Sequence, residues 1–223
     1  HDHLAREYLN FRDLDYIREI AECVEYHAAL ASVELAKRFG SFEAFEYSEW
    51  KNGNRIAHFK KHASGNYDWD FLQQQINEFG FRNSQLTSPA PNTSTSIYMD
   101  SSASVLPVYD AFFSDDNKNG KMVVVAKYLK ENPLGYGKTF PKHSATEIID
   151  VVAELQKFID TGCSMELIFD QRKENFNAKD LYDAIHYAYK KGIKAVYYIR
   201  TIKNNAKVDE PLKAEENCVA CAG

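Results

Sequence analysis

The chain has 223 residues, 44% apolar and 26% charged, which are proportions typical of a folded globular protein of one or two domains. Its 27 basic and 32 acidic residues give a net charge of −5, so no overall positive field exists to attract duplex nucleic acid or an anionic membrane. The apolar runs are far shorter than the roughly 20 residues of a membrane-spanning helix, and four cysteines are too few for a disulfide scaffold.

Three long helices are predicted by apolar residues that recur at helical spacing. They are expected over residues 13–39, 68–80 and 144–162. The stripe on the first helix consists of Ile17, Ile20, Ala21, Val24, Ala28, Ala31, Leu35 and Ala36. Residues 41–67 show no clean period, so an irregular connection is predicted between the first two helices.

Between the second and third helices the pattern changes to short stretches separated by turns. Residues 84–90 predict a short strand, residues 105–113 a buried stretch and residues 122–126 a second strand. A turn is expected over residues 115–120 and a loop over residues 133–141, which begin and end with proline.

The C-terminal part of the chain predicts a strand, a helix and a second strand. The strands are expected over residues 165–169 and 195–199, and the helix over residues 178–191 with Asn177 as its cap. Because a strand–helix–strand unit of about 35 residues connects parallel strands, the sequence predicts an α/β fold. After residue 201 the apolar content falls sharply, and we expect a mobile tail.

A hydroxyl-rich turn follows the first predicted strand. It has the sequence Thr93-Ser94-Thr95-Ser96. Hydroxyl groups and unpaired N–H groups that converge at a helix start are typical of phosphate-binding sites. The same residue types also favour an ordinary capped turn, so the residues alone leave both interpretations open.

Two tyrosines, Tyr197 and Tyr198, are adjacent at the end of the last predicted strand. Neighbouring side chains of a strand normally point to opposite faces of the sheet. From the residues alone, one ring is therefore expected in the core and the other at the surface.

Two of the four cysteines, Cys218 and Cys221, form a Cys-x-x-Cys pair in the polar tail. One interpretation is a structural zinc site, which needs four ligands, but the helix-spaced His58 and His62 lie far upstream. The other is a dithiol that cycles with a disulfide, which requires two accessible sulfur atoms on a mobile segment.

Three motifs, taken in order, resemble one protein family. They are Phe81-Arg82-Asn83-Ser84 with Pro91-Asn92 and the hydroxyl turn, then Gly192-Ile193-Lys194-Ala195-Val196-Tyr197-Tyr198-Ile199-Arg200, then Cys218-Val219-Ala220-Cys221. Together they resemble the large subunit of aerobic ribonucleotide reductase, and most of all its bacterial and phage class Ib-type branch. The resemblance runs from about residue 3 to the end of the chain.

The resemblance implies an α/β fold in which residues 1–202 form the C-terminal part of a ten-stranded α/β barrel. Residues 203–223 would form a flexible, redox-active tail. No part of the sequence matches the finger loop that carries the catalytic cysteine in this family. The chain is therefore expected to be inactive without an N-terminal remainder of the large subunit.

The resemblance also implies roles for the three motifs. Residues 93–96 would grip the substrate phosphates, and Cys218 with Cys221 would re-reduce the disulfide formed in each turnover. Tyr197 and Tyr198 would relay a radical to the catalytic cysteine. Such a relay needs short steps, so we predict that the two rings pack together with centroids about 4.5 to 7 Å apart.

The cofactor and partners are likewise expectations from the resemblance. This chain would bind no cofactor itself, and a dinuclear metal and tyrosyl radical would lie in a small-subunit partner. The other partners would be a ribonucleotide substrate and a thioredoxin- or glutaredoxin-like reductant, with no nucleic acid polymer and no membrane. The N-terminus lacks the pattern of a secretory signal, so we expect a cytoplasmic protein.

Two alternatives remain open at the level of sequence. A cobalamin-dependent ribonucleotide reductase resembles the same family but generates its radical locally, without a tyrosine relay. The second alternative is a non-enzymatic nucleotide-binding or redox-tail module that stands alone. The sequence leaves open whether the substrate is a di- or a triphosphate and which metal the partner would use.

Overall fold

A computed structural model describes residues 1–7, 9–117, 120–171 and 176–202. Seven α-helices and four β-strands form its regular structure over these ranges. They are α1 (Asp2–Arg6), α2 (Leu14–Phe39), α3 (Asn54–Lys60), α4 (Trp69–Phe79), α5 (Thr93–Tyr98), β1 (Phe112–Asn117), β2 (Gly120–Val125), α6 (Ala145–Gln156), β3 (Glu166–Asp170), α7 (Ala178–Lys190) and β4 (Tyr198–Ile202). Short 3-10 turns occur at Phe45–Tyr47, Pro133–Tyr136 and Phe140–Lys142.

The long helix α2 is confirmed, but its buried face differs from the predicted stripe. The buried residues are Ile17, Ala21, Glu22, Glu25, Tyr26, Ala29, Ser32, Val33 and Ala36. Val24 is 51% exposed and Leu35 40% exposed, and Ala31 is exposed as well, so the prediction is wrong at these three positions. The buried face includes polar residues that an apolar stripe could not reveal, because these residues have hydrogen-bond partners in the core. The Glu22 carboxylate accepts bonds from Trp69 Nε1 at 2.9 Å and from the N–H of Ser64 at 2.8 Å. Paired in this way, a carboxylate is tolerated in a core.

The second predicted helix is confirmed as α4. The Asp68 carboxylate accepts a hydrogen bond from the Phe71 N–H at 2.8 Å, which satisfies one of the free donors at the helix start. The helix ends at Gly80, whose φ of 83° lies in the left-handed region that favours glycine.

The prediction of an irregular connection over residues 41–67 is wrong in part, because it contains α3. This helix has only seven residues, and Ile56 and Phe59 are its buried side chains. Two apolar residues three positions apart make a single contact rather than a repeat, so the helix leaves no readable period in the sequence.

The strand expected over residues 84–90 is an extended segment outside the regular strands. Its carbonyls still form bonds of the kind found in sheets, since Thr87 accepts from the N–H of Thr161 at 3.4 Å and Pro89 from the N–H of Ser164 at 3.1 Å. Pro89 and Pro91 have no N–H to donate, which explains why a regular ladder does not form.

Residues 105–126 contain an antiparallel hairpin of β1 and β2, with Phe112 opposite Val125. The strand predicted at residues 122–126 is confirmed, but the turn predicted over 115–120 is too long, because residues 115–117 belong to β1. The expectation of a buried stretch over residues 105–113 holds only at Leu106 and Pro107, and Phe112 is 60% exposed. The loop predicted over residues 133–141 includes two 3-10 turns.

The third predicted helix, α6, begins as expected with Ser144 and ends at Gln156 instead of residue 162. After it, β3, α7 and β4 form the predicted unit, and β3 pairs with β4 in parallel from Glu166 opposite Tyr198 to Asp170 opposite Ile202. The last strand begins at Tyr198, three residues later than predicted. The arrangement is α/β, and the described strands form two separate two-stranded sheets and not a closed barrel.

Two apolar clusters hold these elements together. One packs α6, α7 and β3, with Ile148, Val152, Met165 and Leu167 fully buried or nearly so. The other is rich in aromatic rings and lies where α2, α3 and α4 meet. Its rings include Trp50 and Phe81, stacked with centroids 4.2 Å apart. The connections around residues 86–105 and 157–165 are fixed against both clusters.

Candidate functional site

The hydroxyl turn forms the first turn of α5, as predicted for a helix start. Asn92 precedes it with a left-handed backbone, φ 46° and ψ 29°. The side chains of residues 93–95 are exposed, whereas Ser96 is buried and donates its hydroxyl hydrogen to the Thr93 carbonyl at 2.7 Å. No described residue accepts a hydrogen bond from the N–H groups of residues 93–95. Three N–H donors without a described acceptor and three exposed hydroxyls are therefore present in the first turn of α5.

A cavity of about 360 Å³ lies beside this turn. The polar residues that line it are Asn92, Thr95, Ser96, Ser101, Ser102 and Ser104. All of them except Asn92 carry a hydroxyl group. Such a lining offers neutral hydrogen-bond donors to an oxygen-rich ligand, and the N-terminal end of the helix contributes a partial positive charge.

The residues just before β3 are bonded on one side to the extended segment that leads to the hydroxyl turn and on the other side to Tyr197. The Ser164 N–H donates to the Pro89 carbonyl at 3.1 Å, and the Ser104 hydroxyl donates to the Ser164 carbonyl at 3.3 Å. On the other side, the N–H of Tyr197 donates to the Met165 carbonyl at 2.7 Å. The extended segment, the start of β3 and the start of β4 thus lie side by side.

The rings of Tyr197 and Tyr198 pack against each other, which confirms the expected ring contact. Their centroids are 4.2 Å apart, slightly closer than predicted, and the ring planes are inclined by 58°. The residues are 43% and 40% exposed, so the expectation from strict alternation, with one ring in the core, is wrong. Tyr197 lies just before β4 and Tyr198 is its first residue, whereas the sequence placed both at the end of this strand. Tyr197 is therefore outside the regular strand, and the two rings can pack together.

A buried carboxylate next to the pair was not identified from the sequence. Glu166, 7% exposed, accepts a hydrogen bond from the Tyr109 hydroxyl at 2.5 Å and pairs with Arg200 Nε at 2.6 Å. The Arg200 guanidinium lies over two rings, 5.4 Å from the Tyr198 centroid and 5.7 Å from the Tyr109 centroid. The guanidinium thus connects the tyrosine pair to a third phenol.

The charges of this cluster shift its titration. Burial and the bond to Glu166 raise the pKa of the Tyr109 phenol far above its usual value. The Glu166 carboxylate raises the pKa of Arg200 as well, so the guanidinium stays charged. One signal in the sequence points to part of this arrangement: Arg200 follows Tyr198 by two positions in a strand, which places both side chains on one face.

The predicted tail cysteines, Cys218 and Cys221, lie outside the described residues. Within the described residues, no three His, Cys, Asp or Glu side chains are grouped to hold a metal ion. His58 and His62 have ring centroids 5.3 Å apart. Over the same part of the chain, no helix is both long and apolar enough to span a bilayer.

Comparison with known proteins shows a family match over most of the chain. Residues 1–199 match the family described as ribonucleotide reductase, barrel domain. The ribonucleoside-diphosphate reductase subunit alpha of Synechocystis sp. is 34% identical over 99% of this chain, which covers 30% of that protein. The subunit alpha from Helicobacter pylori is 29% identical over 93% of the chain and 27% of that protein. The large subunit from Acanthamoeba polyphaga mimivirus is 27% identical over 85% of the chain. The chain thus spans less than a third of the curated relatives.

Proposed function

Because this chain belongs to the ribonucleotide reductase barrel-domain family, we propose that it supplies the phosphate-binding turn and the tyrosine relay of a ribonucleoside-diphosphate reductase large subunit. The complete subunit would reduce ribonucleotides to deoxyribonucleotides by radical chemistry. The observation that carries this proposal is the hydroxyl-lined cavity at the start of α5, whose lining residues Pro89 and Ser104 are hydrogen-bonded to Ser164 just before β3.

The phosphate role is supported by the donors that α5 presents. The N–H groups of residues 93–95 have no described acceptor, and the hydroxyls of Thr93, Ser94 and Thr95 are exposed beside them. Anionic oxygens of a ribonucleotide diphosphate would accept bonds from both sets of donors. Ser96 would act differently, since its hydroxyl already holds the turn by binding the Thr93 carbonyl.

The phosphate role predicts a loss of nucleotide binding without a loss of folding. Replacing both Ser94 and Thr95 with Ala removes two exposed hydroxyls, each worth about 1.5 kcal/mol or more when it bonds an anion, so affinity for cytidine diphosphate should fall at least about 100-fold. Calorimetric titration of the complete large subunit measures the affinity, and thermal unfolding should change little. A matched control is Ser114→Ala, which removes an exposed hydroxyl on β1 outside the cavity lining. Unchanged affinity in the double variant would contradict the proposal.

The relay role rests on the contact between the two phenol rings. A phenol can give up an electron and its proton together, whereas the phenolate is scarce near neutral pH because the pKa is about 10. In each step the tyrosine that loses an electron and a proton becomes a neutral phenoxyl radical, and the radical that receives both becomes a closed-shell group. The incoming radical would originate at a dinuclear metal and tyrosyl-radical cofactor in a small-subunit partner.

The tail role follows from the Cys-x-x-Cys pair, which also favours the Ib-type branch of the family. Cys218 and Cys221 would exchange with the active-site disulfide and then be reduced by a thioredoxin- or glutaredoxin-like protein. A variant with both cysteines replaced by Ser should complete one turnover from a pre-reduced subunit and fail in repeated turnover. Sustained turnover with a protein dithiol would contradict this role.

We place the active complex in the cytoplasm, with the N-terminal remainder of the subunit supplying the finger loop. The 223-residue chain alone would therefore have no reductase activity. A cobalamin-dependent relative remains the second candidate, but the close packing of Tyr197 and Tyr198 favours the relay. A cobalamin absorbance in the purified complex would reverse that preference.

A further inference from the structure

A buried pair of carboxyl groups lies beside residues 86–89 of the extended segment. Glu25 on α2 is completely buried, and the side chain of Asp160, in the connection between α6 and β3, is 6% exposed. Two cations face them. Arg55 on α3 forms an ion pair with Asp160, and Lys194, before β4, donates to three backbone carbonyls of the connection that holds Asp160.

The hydrogen bonds of the pair are complete only if one carboxyl carries a proton. Both Asp160 oxygens already accept bonds, Oδ1 from Arg55 and Oδ2 from the Leu86 N–H at 2.6 Å. Glu25 Oε2 accepts from the Thr87 hydroxyl at 2.8 Å, while its buried Oε1 receives no N–H or O–H from any described residue. Glu25 and the Asp160 N–H bond the same hydroxyl, that of Thr87, and the Asp160 carboxylate bonds the neighbouring Leu86 N–H, so the two acidic residues are close neighbours. A proton on Glu25 Oε1, donated to Asp160, satisfies the otherwise unpaired oxygen.

Charge and burial favour the same protonation state. Burial, followed by the negative charge of Asp160, raises the pKa of Glu25 to about 8, although the Thr87 hydroxyl and the Arg55 charge act in the opposite direction. With the proton in place, one carboxylate faces Arg55. Without it, two negative charges would share a water-poor site, which is the condition under which paired carboxyl groups retain one proton.

The pair is bonded to the segment that leads to α5. Asp160 holds the Leu86 N–H, and Glu25 holds the Thr87 hydroxyl. The same hydroxyl accepts a bond from the Asp160 N–H at 3.2 Å, and the Thr161 hydroxyl donates to the Thr87 carbonyl at 3.0 Å. The hydroxyl and the carbonyl of Thr87 are therefore both held, by bonds to Glu25, Asp160 and Thr161. Asn92, which precedes the hydroxyl turn, is only five residues further along the chain.

We propose that Glu25 and Asp160 share one proton and act as positioning residues for residues 86–89, and through them for the phosphate-binding start of α5. The last step of this inference rests on the proposed function of that turn. Loss of the proton would replace a hydrogen bond between the two carboxyl groups with a repulsion, and Thr87 and Leu86 would lose their fixed partners.

Infrared difference spectroscopy of the complete large subunit tests the shared proton. The wild-type subunit should show the carbonyl stretch of a protonated carboxyl at pH 7 that disappears as the pH rises through about 8. The band should be absent in Glu25→Gln. It should also be absent in Asp160→Asn, because Glu25 then faces Arg55 without a competing carboxylate and ionises. A matched control is Glu22→Gln, a buried carboxyl on the same helix that binds Trp69 and Ser64, and it should keep the band.

Hydrogen exchange and nucleotide affinity test the positioning role. Above pH 8 the Leu86 amide of the wild type should exchange faster than its intrinsic rate predicts, and affinity for cytidine diphosphate should fall about tenfold per pH unit. In Glu25→Gln the side chain at position 25 is neutral at every pH, and its amide can donate to Asp160. Leu86 exchange should therefore follow its intrinsic rate above pH 8, and the affinity for cytidine diphosphate should not fall there. The Glu22→Gln control should behave like the wild type.

The outcomes separate this inference from the proposed phosphate site. If no titrating carboxyl band exists, or if Glu25→Gln keeps it, the shared proton is wrong. If Leu86 exchange has the same pH dependence in the wild type and in Glu25→Gln, the positioning role is wrong even when the nucleotide binds. If Leu86 exchange responds as expected but Ser94→Ala with Thr95→Ala leaves affinity unchanged, positioning of residues 86–89 stands and the phosphate role of α5 falls.

Discussion

Glu166 determines how the residues around the tyrosine pair are arranged. One of its oxygens, Oε2, accepts from the Tyr109 hydroxyl and pairs with Arg200 Nε. The charged Arg200 guanidinium lies over both the Tyr198 and the Tyr109 rings, and it makes removal of an electron from either ring harder. A hydrogen bond from a phenol to a carboxylate has the opposite effect on Tyr109, because the proton has a ready acceptor. The two phenols therefore have different environments within a single cluster.

The relay makes a prediction for single tyrosine substitutions. Tyr197→Phe or Tyr198→Phe keeps the ring packing and removes the hydroxyl that can be oxidised with loss of its proton. The complete enzyme should fold and bind nucleotide normally and lose turnover by at least about 10³-fold, because a phenylalanine cannot carry the radical. Steady-state assays with the small subunit measure this loss.

Tyr182→Phe is a suitable control, because this tyrosine on α7 is 66% exposed and lies outside the cluster. It should retain turnover. If both relay variants also retain turnover, the relay is wrong and the cobalamin-type alternative becomes the better interpretation.

At the scale of residues, the sequence identified the motifs but not their chemical surroundings. The run Thr93-Ser94-Thr95-Ser96 stood out because hydroxyl residues are contiguous there. Glu25, Glu166 and Tyr109 are separated by tens of residues from the groups they contact, and each resembles an ordinary charged or aromatic residue in the sequence. Only the fold brings these side chains together, so no local pattern could have identified them.

Among the elements, α6 depends most visibly on charge at its start. Ser144 Oγ accepts from the Glu147 N–H at 3.2 Å, and the Glu147 carboxylate accepts from the Ser144 N–H at 3.0 Å. Partial burial alone would raise the pKa of Glu147, but Lys138, the Ser144 N–H and His143 outweigh it and lower the pKa to about 2. The ionised carboxylate therefore favours the folded state.

This lowered pKa predicts a loss of stability in acid. Because the folded pKa lies below the unfolded value, the contribution of Glu147 is fully present above about pH 5 and is lost as the pH falls toward 2. Glu147→Gln should lower the free energy of unfolding at pH 7 by roughly 1 to 3 kcal/mol and flatten its dependence between pH 5 and 2. Urea unfolding across this pH range measures both effects.

Glu131→Gln provides the control, since this carboxyl is exposed and precedes a 3-10 turn rather than capping a helix. It should leave the pH dependence of the wild type intact. An equally steep acid loss in Glu147→Gln would show that other groups control stability in acid.

At the scale of elements, the sequence predicted best where local chemistry decides the structure. The caps at Asp68, Ser144 and Asn177 set helix starts correctly because their side chains bond to N–H groups only two or three positions away. The beginning of β4 was misplaced because strand pairing depends on β3, which is about 30 residues away in sequence. The helix α3 was missed because two buried residues do not form a period.

For the whole molecule, the most informative feature is the exposure of aromatic residues at β4. Tyr197, Tyr198 and Ile199 are each 40% to 43% exposed, although aromatic and β-branched residues in a strand normally contribute to a core. In the described part of the chain, β4 pairs with β3, and no other described strand lies along its second edge. The resemblance predicted a ten-stranded barrel, and sequence alone could not show how much of that barrel this chain completes.

The complete subunit should therefore cover these rings. We expect Tyr197 and Tyr198 to react with tetranitromethane in the isolated chain and to be protected several-fold when the N-terminal remainder is present, because neighbouring strands would then pack on β4. Mass spectrometry of the peptides measures nitration at each position. Tyr47, which is 92% exposed, should react in both states. Equal nitration of the pair in both states would contradict this placement.

No described strand joins the second edge of β4, and in the proposed complete subunit this is the edge that further strands would join. It belongs to the same five residues that begin with Tyr198 and carry Arg200. An open strand edge is a site of wrong association as well as of correct closure. Under the proposed function, joining this edge and shielding the tyrosine pair from water would be one event. A subunit whose edge is still open would then hold no protected route for a radical.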